Sequence, residues 1–281
     1  MLDIEFAELS DPGLSRHHNE DFVGHFVPST PAQVQSQGWL FALADGVGGQ
    51  EKGEVASRLA IEAVLAGFRK IPKGVMHVSL LPKLVQEANQ AVFDAGNASH
   101  ARPDPNYVDP GGNIVPDGMH MASTLVLCAL RFDSAVVSHV GDSRCYLFRK
   151  GNLNALTHDH TMVDEQVRAG VITQEDAQTH VNRHLLTRSL GSEMFVAADT
   201  ITVNIQPGDV LLLCSDGLHG YVPDSEIQAT LKSTPDLNAA ATALIAAANQ
   251  TGGHDNVSVQ LIRVRGVERM GLYRGRPYRL L

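Results

Sequence analysis

Four times in this 281-residue chain an apolar run meets an aspartate, and three of the four have a glycine directly beside it. Asp45 follows LFALA and precedes Gly46. Asp142 follows AVVSHV and Gly141. Asp216 follows VLLLCS and precedes Gly217. Asp255 follows TGGH and precedes NVSVQL. Short aliphatic and β-branched runs bounded by glycine and aspartate read as strands that stop at those aspartates. A lone Asp-Gly is most often a hairpin turn. Four such ends in one chain are a stronger constraint. Strands sharing a sheet bring their ends together however far apart they lie in sequence, so this pattern predicts carboxylates gathered at one place.

A cluster of carboxylates is unfavourable by itself, because each repels the others and each loses water. A hard divalent cation removes that cost. Mg²⁺ and Mn²⁺ take six oxygens from carboxylates, backbone carbonyls and retained water. A glycine after the aspartate lets the backbone approach closely enough to offer a carbonyl. No His-rich or Cys-rich ligand set is present, which argues against zinc.

The rest of the chain fits an ordinary globular protein. Hydrophobic residues make up 43% and charged residues 19%. The net charge of −9 argues against nucleic acid as a partner. Cys128, Cys145 and Cys214 form no Cys-x-x-Cys pair and read as reduced thiols. The acidic start MLDIEFAELS lacks the pattern of a signal peptide, and AAATALIAAA at 239–248 is too short to span a bilayer. A cytoplasmic protein without a membrane span is expected.

Helical periodicity covers 57–70 and 79–96, with Pro82 expected in the first turn of the second helix. Residues 97–121 read as a long irregular loop. Hairpins follow at 123–141 and 144–157, then two short helices. Gly170 is expected to stop the first, and Thr173 with Asp176 to cap the second. ITVNIQPGDVLLLCSDG reads as two strands around a Pro-Gly-Asp turn, followed by a helix from Asp236 and a closing strand NVSVQLIRV. The order is not a βαβ alternation, so the class is α+β, mostly antiparallel sheet covered by helices.

At this level of detail the chain resembles a known family. SDPGLSRHHNED (10–21) is similar to the Ser-Asp-x-Gly-x-x-Arg-x-x-Asn-Glu-Asp opening of bacterial metal-dependent Ser/Thr protein phosphatases of type 2C, the PPM family. ADGVGG, STLV, VGDSRCYLFR, CSDGLHGYV and GGHDNVSV resemble the motifs that follow in that family, in its order. THDHTMVDEQVRAGVITQEDAQTHVNRHLLTRSLG (157–191) resembles its flap and the segment after it. The resemblance implies an α-β-β-α sandwich: two packed antiparallel β-sheets flanked by α-helices on both faces. It implies a phosphatase domain over 1–265, a flap over about 157–191, and a C-terminal tail at 266–281.

It also implies a site with two Mn²⁺ or Mg²⁺ ions and a third, weaker one. Carried over by position, Asp45 bridges both metals and Gly46 offers its carbonyl to one. Asp216 and Asp255 bind the other, and Asp142 with Asp216 takes the third. Glu20 and Asp21 act mainly through metal-bound water, and Arg16 holds the substrate phosphate with its planar fork. The implied reaction is hydrolysis of phosphoserine or phosphothreonine in proteins by metal-activated water, without a phosphoenzyme, opposing a bacterial Ser/Thr kinase.

Val47 stands where bacterial relatives often have methionine and many animal members have histidine. The resemblance therefore leaves the acid for the leaving group unassigned. His17, His18, His158, His160 and His184 lie in or near motifs and read as polar surface or loop residues, with His160 the best exception. Arg58, Arg183 and Arg188 read as ion-paired or solvated, the last two within reach of a phosphorylated substrate. The tail RVRGVERMGLYRGRPYRLL carries six arginines against one glutamate. It reads as a disordered or surface-packed end, or as a dock for an acidic partner. A rival to the enzyme is a phosphatase fold kept as a phosphoprotein-binding module. The presence of every expected carboxylate and of Arg16 favours the enzyme.

Overall fold

A computed structural model describes residues 1–47, 51–72, 74–99, 121–268, 270–273 and 276–279. In chain order the elements begin β1 (Asp3–Asp11), β2 (Asp21–Phe26), α1 (Pro31–Ser36), β3 (Trp39–Val47), α2 (Glu51–Arg69) and α3 (His77–Ser99). Then follow β4 (Ala122–Ser123), β5 (Leu125–Arg131), β6 (Ser134–Val140), β7 (Arg144–Arg149), β8 (Asn152–Ala155), α4 (Met162–Arg168) and α5 (Gln174–Thr179). The chain continues through β9 (Asp199–Asn204), β10 (Val210–Cys214), α6 (Asp216–His219), α7 (Asp224–Ser233), α8 (Leu237–Gln250) and β11 (Val257–Gly266). It closes with β12 (Met270–Tyr273) and β13 (Arg276–Arg279).

Two antiparallel sheets form the centre. One has the order β1-β11-β10-β7-β8, the other β2-β3-β5-β6-β9, with β4 paired to β3. Alternation within each strand assigns its two faces. In β10, Leu211 and Leu213 join Phe41, Leu43, Val126, Cys128, Val137 and Ile262 between the sheets. Their neighbours Val210, Leu212 and Cys214 face outward against Leu218, Ile227, Leu244 and Ile245 of α6, α7 and α8. On the opposite outer face α2 and α3 bury Ala60, Val64, Phe68, Leu81, Val85 and Val92 against Leu40, Ala42, Leu125 and Leu127. This is the expected α-β-β-α sandwich. All three cysteines are free and buried.

Several local readings need correction. Pro82 lies inside α3, which begins at His77, and not in its first turn. There it withholds an amide that would have bonded the carbonyl of Val78, a residue on the exposed side of the helix. The two strands around Pro-Gly-Asp form as read, but they do not pair with each other. β9 pairs with β6 and β10 with β7 and β11, so the turn carries the chain from one sheet to the other. Asp209 holds that turn by accepting both arms of Arg149, at 2.8 and 2.6 Å. Period-two alternation shows which face of a strand is buried but not which strand lies beside it.

The tail is also partly strand. Arg263 and Arg265 belong to β11 and pair with Glu5 of β1 at 3.4 and 2.8 Å. The backbone beyond them forms the β12-β13 hairpin, paired from Met270 opposite Arg279 to Tyr273 opposite Arg276. Residues 97–99 of the expected loop end α3, and 100–120 lie outside the described residues. The Thr173–Asp176 capping box and the left-handed Gly170 (φ 70°) are as read from the sequence.

Two expectations follow. Phe41 is fully buried between the sheets, its ring 5.2 Å from that of Phe6. Phe41→Ala should lower stability by about 3–5 kcal/mol, read as a lower denaturant midpoint with an unchanged slope. His77 is buried and donates through Nε2 to the carbonyl of Gln37 at 2.8 Å. Burial, with Arg131 nearby, depresses its pKa to about 4. The unfolded chain binds that proton first, so stability should fall as pH drops from about 6.5 toward 4. His77→Gln keeps a donor and cannot titrate, and should reduce that slope in equilibrium unfolding.

Candidate active site

In antiparallel pairing, neighbouring strands alternate in direction, so strand ends and strand starts meet at one edge. β1 pairs with β11 from Ile4 opposite Val264 to Asp11 opposite Val257. Its end therefore lies beside the start of β11, the end of β10 and the start of β7. In the second sheet the start of β2, the end of β3, the start of β5 and the end of β6 also share an edge. These two edges bring their loops to one cleft of about 180 Å³. It is lined by Arg16, Glu20, Asp45, Gly46, Val47, Thr124, Asp142, His184, Leu186, Asp216, Asp255 and Asn256. Every sequence-predicted site residue except Asp21 lines it. Asp21 lies behind the wall, opposite Asp45 in the β2–β3 ladder, with its residue 5% exposed.

The walls are tied by polar contacts between distant segments. Asn256 donates to the carbonyls of Pro12 and His18, both at 2.9 Å, and accepts from the Glu20 amide at 2.8 Å. One amide thereby fixes the loop that carries Arg16 and Glu20. Gly13 is left-handed (φ 76°) and packs against Asp255. A Cβ there would stand 2.2 Å from the Asp255 carbonyl oxygen. Thr124 accepts from the Asp45 amide at 3.0 Å, donates its own amide to the Asp45 carbonyl at 2.8 Å, and shares a 2.7 Å hydroxyl contact with Ser143. Ser215 donates to Asp21 Oδ2 at 2.7 Å. The Gly46 amide donates to the Glu20 carbonyl at 3.0 Å.

The electrostatics are those of crowded carboxylates. Burial, and then Asp21, Asp216, Asp142 and Asp255, push the Asp45 carboxyl well above its usual range. Burial and Asp216 do the same to Asp142. Asp255 is raised by burial and by Asp216, with Arg16 opposing. Burial raises Glu20, and it carries Asp21 to about 7. Asp216 goes the other way. Burial raises it, but His184, His219 and the contact with Asp45 hold it low. Asp21 Oδ1 is buried with no partner. A group of oxygen donors that resist ionisation together, with an orphaned oxygen behind them, suits a hard divalent cation.

Arg16 sits half-exposed at the rim, its Nη2 3.0 Å from Asp255 Oδ2 and its Nε donating to the His254 carbonyl at 3.3 Å. Thr124, Leu186 and Asn256 were not anticipated as site residues. His184 is an exposed turn residue, as read from the sequence, but it also lines the cleft. Its Nδ1 lies 3.4 Å from Asp216 Oδ2, while its Nε2 accepts from Arg183 Nε at 2.9 Å. His160, the exception singled out among the motif histidines, is fully buried. Arg188 pairs with Asp199 at 2.9 Å, and Arg58 with Glu54. A second groove, of about 630 Å³, opens from the cleft past Asp142, His184 and Asp216 between α4–α5 and α6–α7.

The model of the family described as Protein phosphatase 2C matches residues 16–261. The chain belongs to that family. A serine/threonine phosphatase, stp, of Listeria welshimeri is 35% identical over 256 residues, covering 90% of this chain and 93% of that one. The crystal structure of the Mycobacterium tuberculosis serine/threonine phosphatase PstP/Ppp superposes with a TM-score of 0.78 at 32% identity, over 95% of this chain and all of that chain. A PstP catalytic domain in complex with two manganese ions gives a TM-score of 0.77 at 33% identity, over 95% of this chain and 100% of that chain. The chain is accordingly a serine/threonine phosphatase of the 2C type, a hydrolase. Among the described residues no helix is long and apolar enough to cross a membrane.

Asn256→Ala removes three hydrogen bonds that hold the 12–20 loop. It should cost roughly 1–3 kcal/mol and speed amide hydrogen exchange at Leu14, Ser15 and Glu20. Thermal unfolding and exchange mass spectrometry check both.

Proposed function

We propose that the chain hydrolyses phosphoserine and phosphothreonine in proteins with Mn²⁺ or Mg²⁺ and opposes a bacterial Ser/Thr kinase. The observation that carries this reading is the cleft where Arg16 meets Asp45, Asp142, Asp216 and Asp255, residues from far-separated parts of the chain. In this reading Asp45, the Gly46 carbonyl, Asp216 and Asp255 hold two ions, and Asp142 with Asp216 holds a third. When bound, the ions supply Lewis acidity for activating water and for offsetting charge on the phosphoryl oxygens. Glu20 and Asp21 orient the surrounding water.

Arg16 is placed to receive the phosphate. Its guanidinium is always charged and can give two parallel hydrogen bonds to phosphate oxygens. At the rim it can engage a phosphate on a protein chain while the carboxylates stay below. Val47, exposed at the same rim, offers no proton. We also read 1–265 as the catalytic unit, 157–191 as its flap, and 266–281 as an Arg-rich segment suited to an acidic partner.

Hydrolysis of an aryl phosphate and of a phosphothreonine peptide should require Mn²⁺ or Mg²⁺ and stop on chelation. Asp45→Ala and Asp216→Ala should lower turnover at least ~10²-fold, because each removes a ligand for the cation that offsets the developing phosphoryl charge. Arg16→Ala should mainly raise KM for both substrates. Undiminished turnover in Asp216→Ala, or activity indifferent to chelator, would contradict the assignment.

A further inference from the structure

The turn that presents Asp142 is held by a residue from the flap. β6 ends at Val140, and Gly141 then turns with φ 96°. A Cβ at 141 would stand 2.7 Å from the Thr124 side chain, so this backbone must be bare and lie flush against Thr124. Its amide and carbonyl are thereby cut off from water and need partners. His160 provides both. The His160 amide donates to the Gly141 carbonyl at 3.0 Å, and His160 Nδ1 accepts from the Gly141 amide at 3.1 Å. Asp142 is held from the other side as well, where His219 Nε2 donates to its carbonyl at 2.9 Å.

The His160 ring is itself fixed. It stacks on His139 with centroids 4.6 Å apart and planes 25° apart. His139 Nε2 donates to the His158 carbonyl at 2.7 Å. His160 Nε2 lies 3.4 Å from Asp199 Oδ2, too poorly aligned for a hydrogen bond, and Asp199 is held by Arg188. The His160 carbonyl accepts from the Thr187 amide at 2.8 Å. His139, His160 and Asp199 place potential ligand atoms within 4.8 Å of one another, but they make a poor cation site. Near-parallel rings send their in-plane lone pairs side by side instead of to one point. Moreover, His160 Nδ1 and His139 Nε2 are already engaged, and Arg188 sits on the carboxylate. The cluster's geometry is that of an orienting device.

We propose that His160 is a positioning residue for Asp142, so that seating of the flap sets the geometry of the carboxylate pair Asp142–Asp216. This rests on the metal-dependent reading given above. It assigns His160 no contact with substrate or ion. Its effect passes through the Gly141 backbone.

The test is calorimetric Mn²⁺ titration of the full chain, wild type and variants. Asn at 160 places its carbonyl oxygen near the position of Nδ1 and can accept from the Gly141 amide. Gln carries its amide one atom too far, and Leu has no acceptor. His160→Leu and His160→Gln should weaken the weakest Mn²⁺ event by about tenfold or more. It should be the same event that Asp142→Asn removes. His160→Asn should stay within about threefold of wild type. In the Asp142→Asn background, His160→Gln should have no further effect on Mn²⁺ uptake. Wild-type affinity in the Gln and Leu variants would overturn the proposal. Equal losses in Asn and Gln would do the same, as would a Gln effect that persists without Asp142. If the Leu variant fails to fold, the Asn–Gln pair decides alone. Failure of the wild-type chain to bind Mn²⁺ would overturn the metal reading and this proposal with it, and it is read on the wild type alone.

Discussion

Loss of water and mutual repulsion among clustered carboxylates are the constraint on which this structure turns. Burial raises the Asp45 carboxyl, and Asp21, Asp142, Asp216 and Asp255 all raise it further; Asp216 also raises Asp21, Asp142 and Asp255. A flexible scaffold would relieve that repulsion by letting the side chains swing into water. Two sheets packed through Phe41, Leu43, Leu211, Leu213 and Ile262 do not yield in this way. Close-packed interiors resist small displacements. The hydrophobic sandwich thus holds an arrangement of charge that would otherwise disperse, and it leaves a site whose favourable partner is a cation.

Strand packing alone does not place the loops. A small set of neutral hydrogen-bonding side chains does so, and each joins segments distant in sequence. Asn256 ties the N-terminal loop to the start of β11. Thr124 ties Asp45 to Ser143. Ser215 ties Asp21 to the end of β10. Neutral groups suit this task, because another charge would add either repulsion or an ion pair with the site's carboxylates. The segment after β8 is joined by the same device, through the backbone and ring of His160. The Asp142 side of the cleft and the segment that carries His160 are therefore joined by hydrogen bonds.

Residue chemistry that expresses itself locally was legible in the chain. An apolar run, an aspartate and a glycine identify Asp45, Asp142 and Asp216 as ends of buried strands without reference to any partner. The Thr173–Asp176 cap is a contact over three residues, and it forms as read. Arg263 and Arg265 are the opposite case. They look like part of a basic tail, and only pairing with β1 shows that Glu5 neutralises them. His184 looks like one of thirteen histidines until the fold sets it 3.4 Å from Asp216.

The sequence by itself determined helices α2–α5 and α8, strands β5–β11, the aspartates at the strand ends and the family, because these follow from side-chain type and short-range spacing. Tertiary structure alone decided that β9 and β10 belong to different sheets and that Asn256 and Thr124 clamp the site. It also decided that His160 bonds the Gly141 backbone beside Asp142. The physical reason is range. Alternation and capping act over a few residues, whereas these contacts link positions from 19 to more than 230 residues apart. Nothing local encodes them. They exist only once antiparallel register has fixed which strand ends meet.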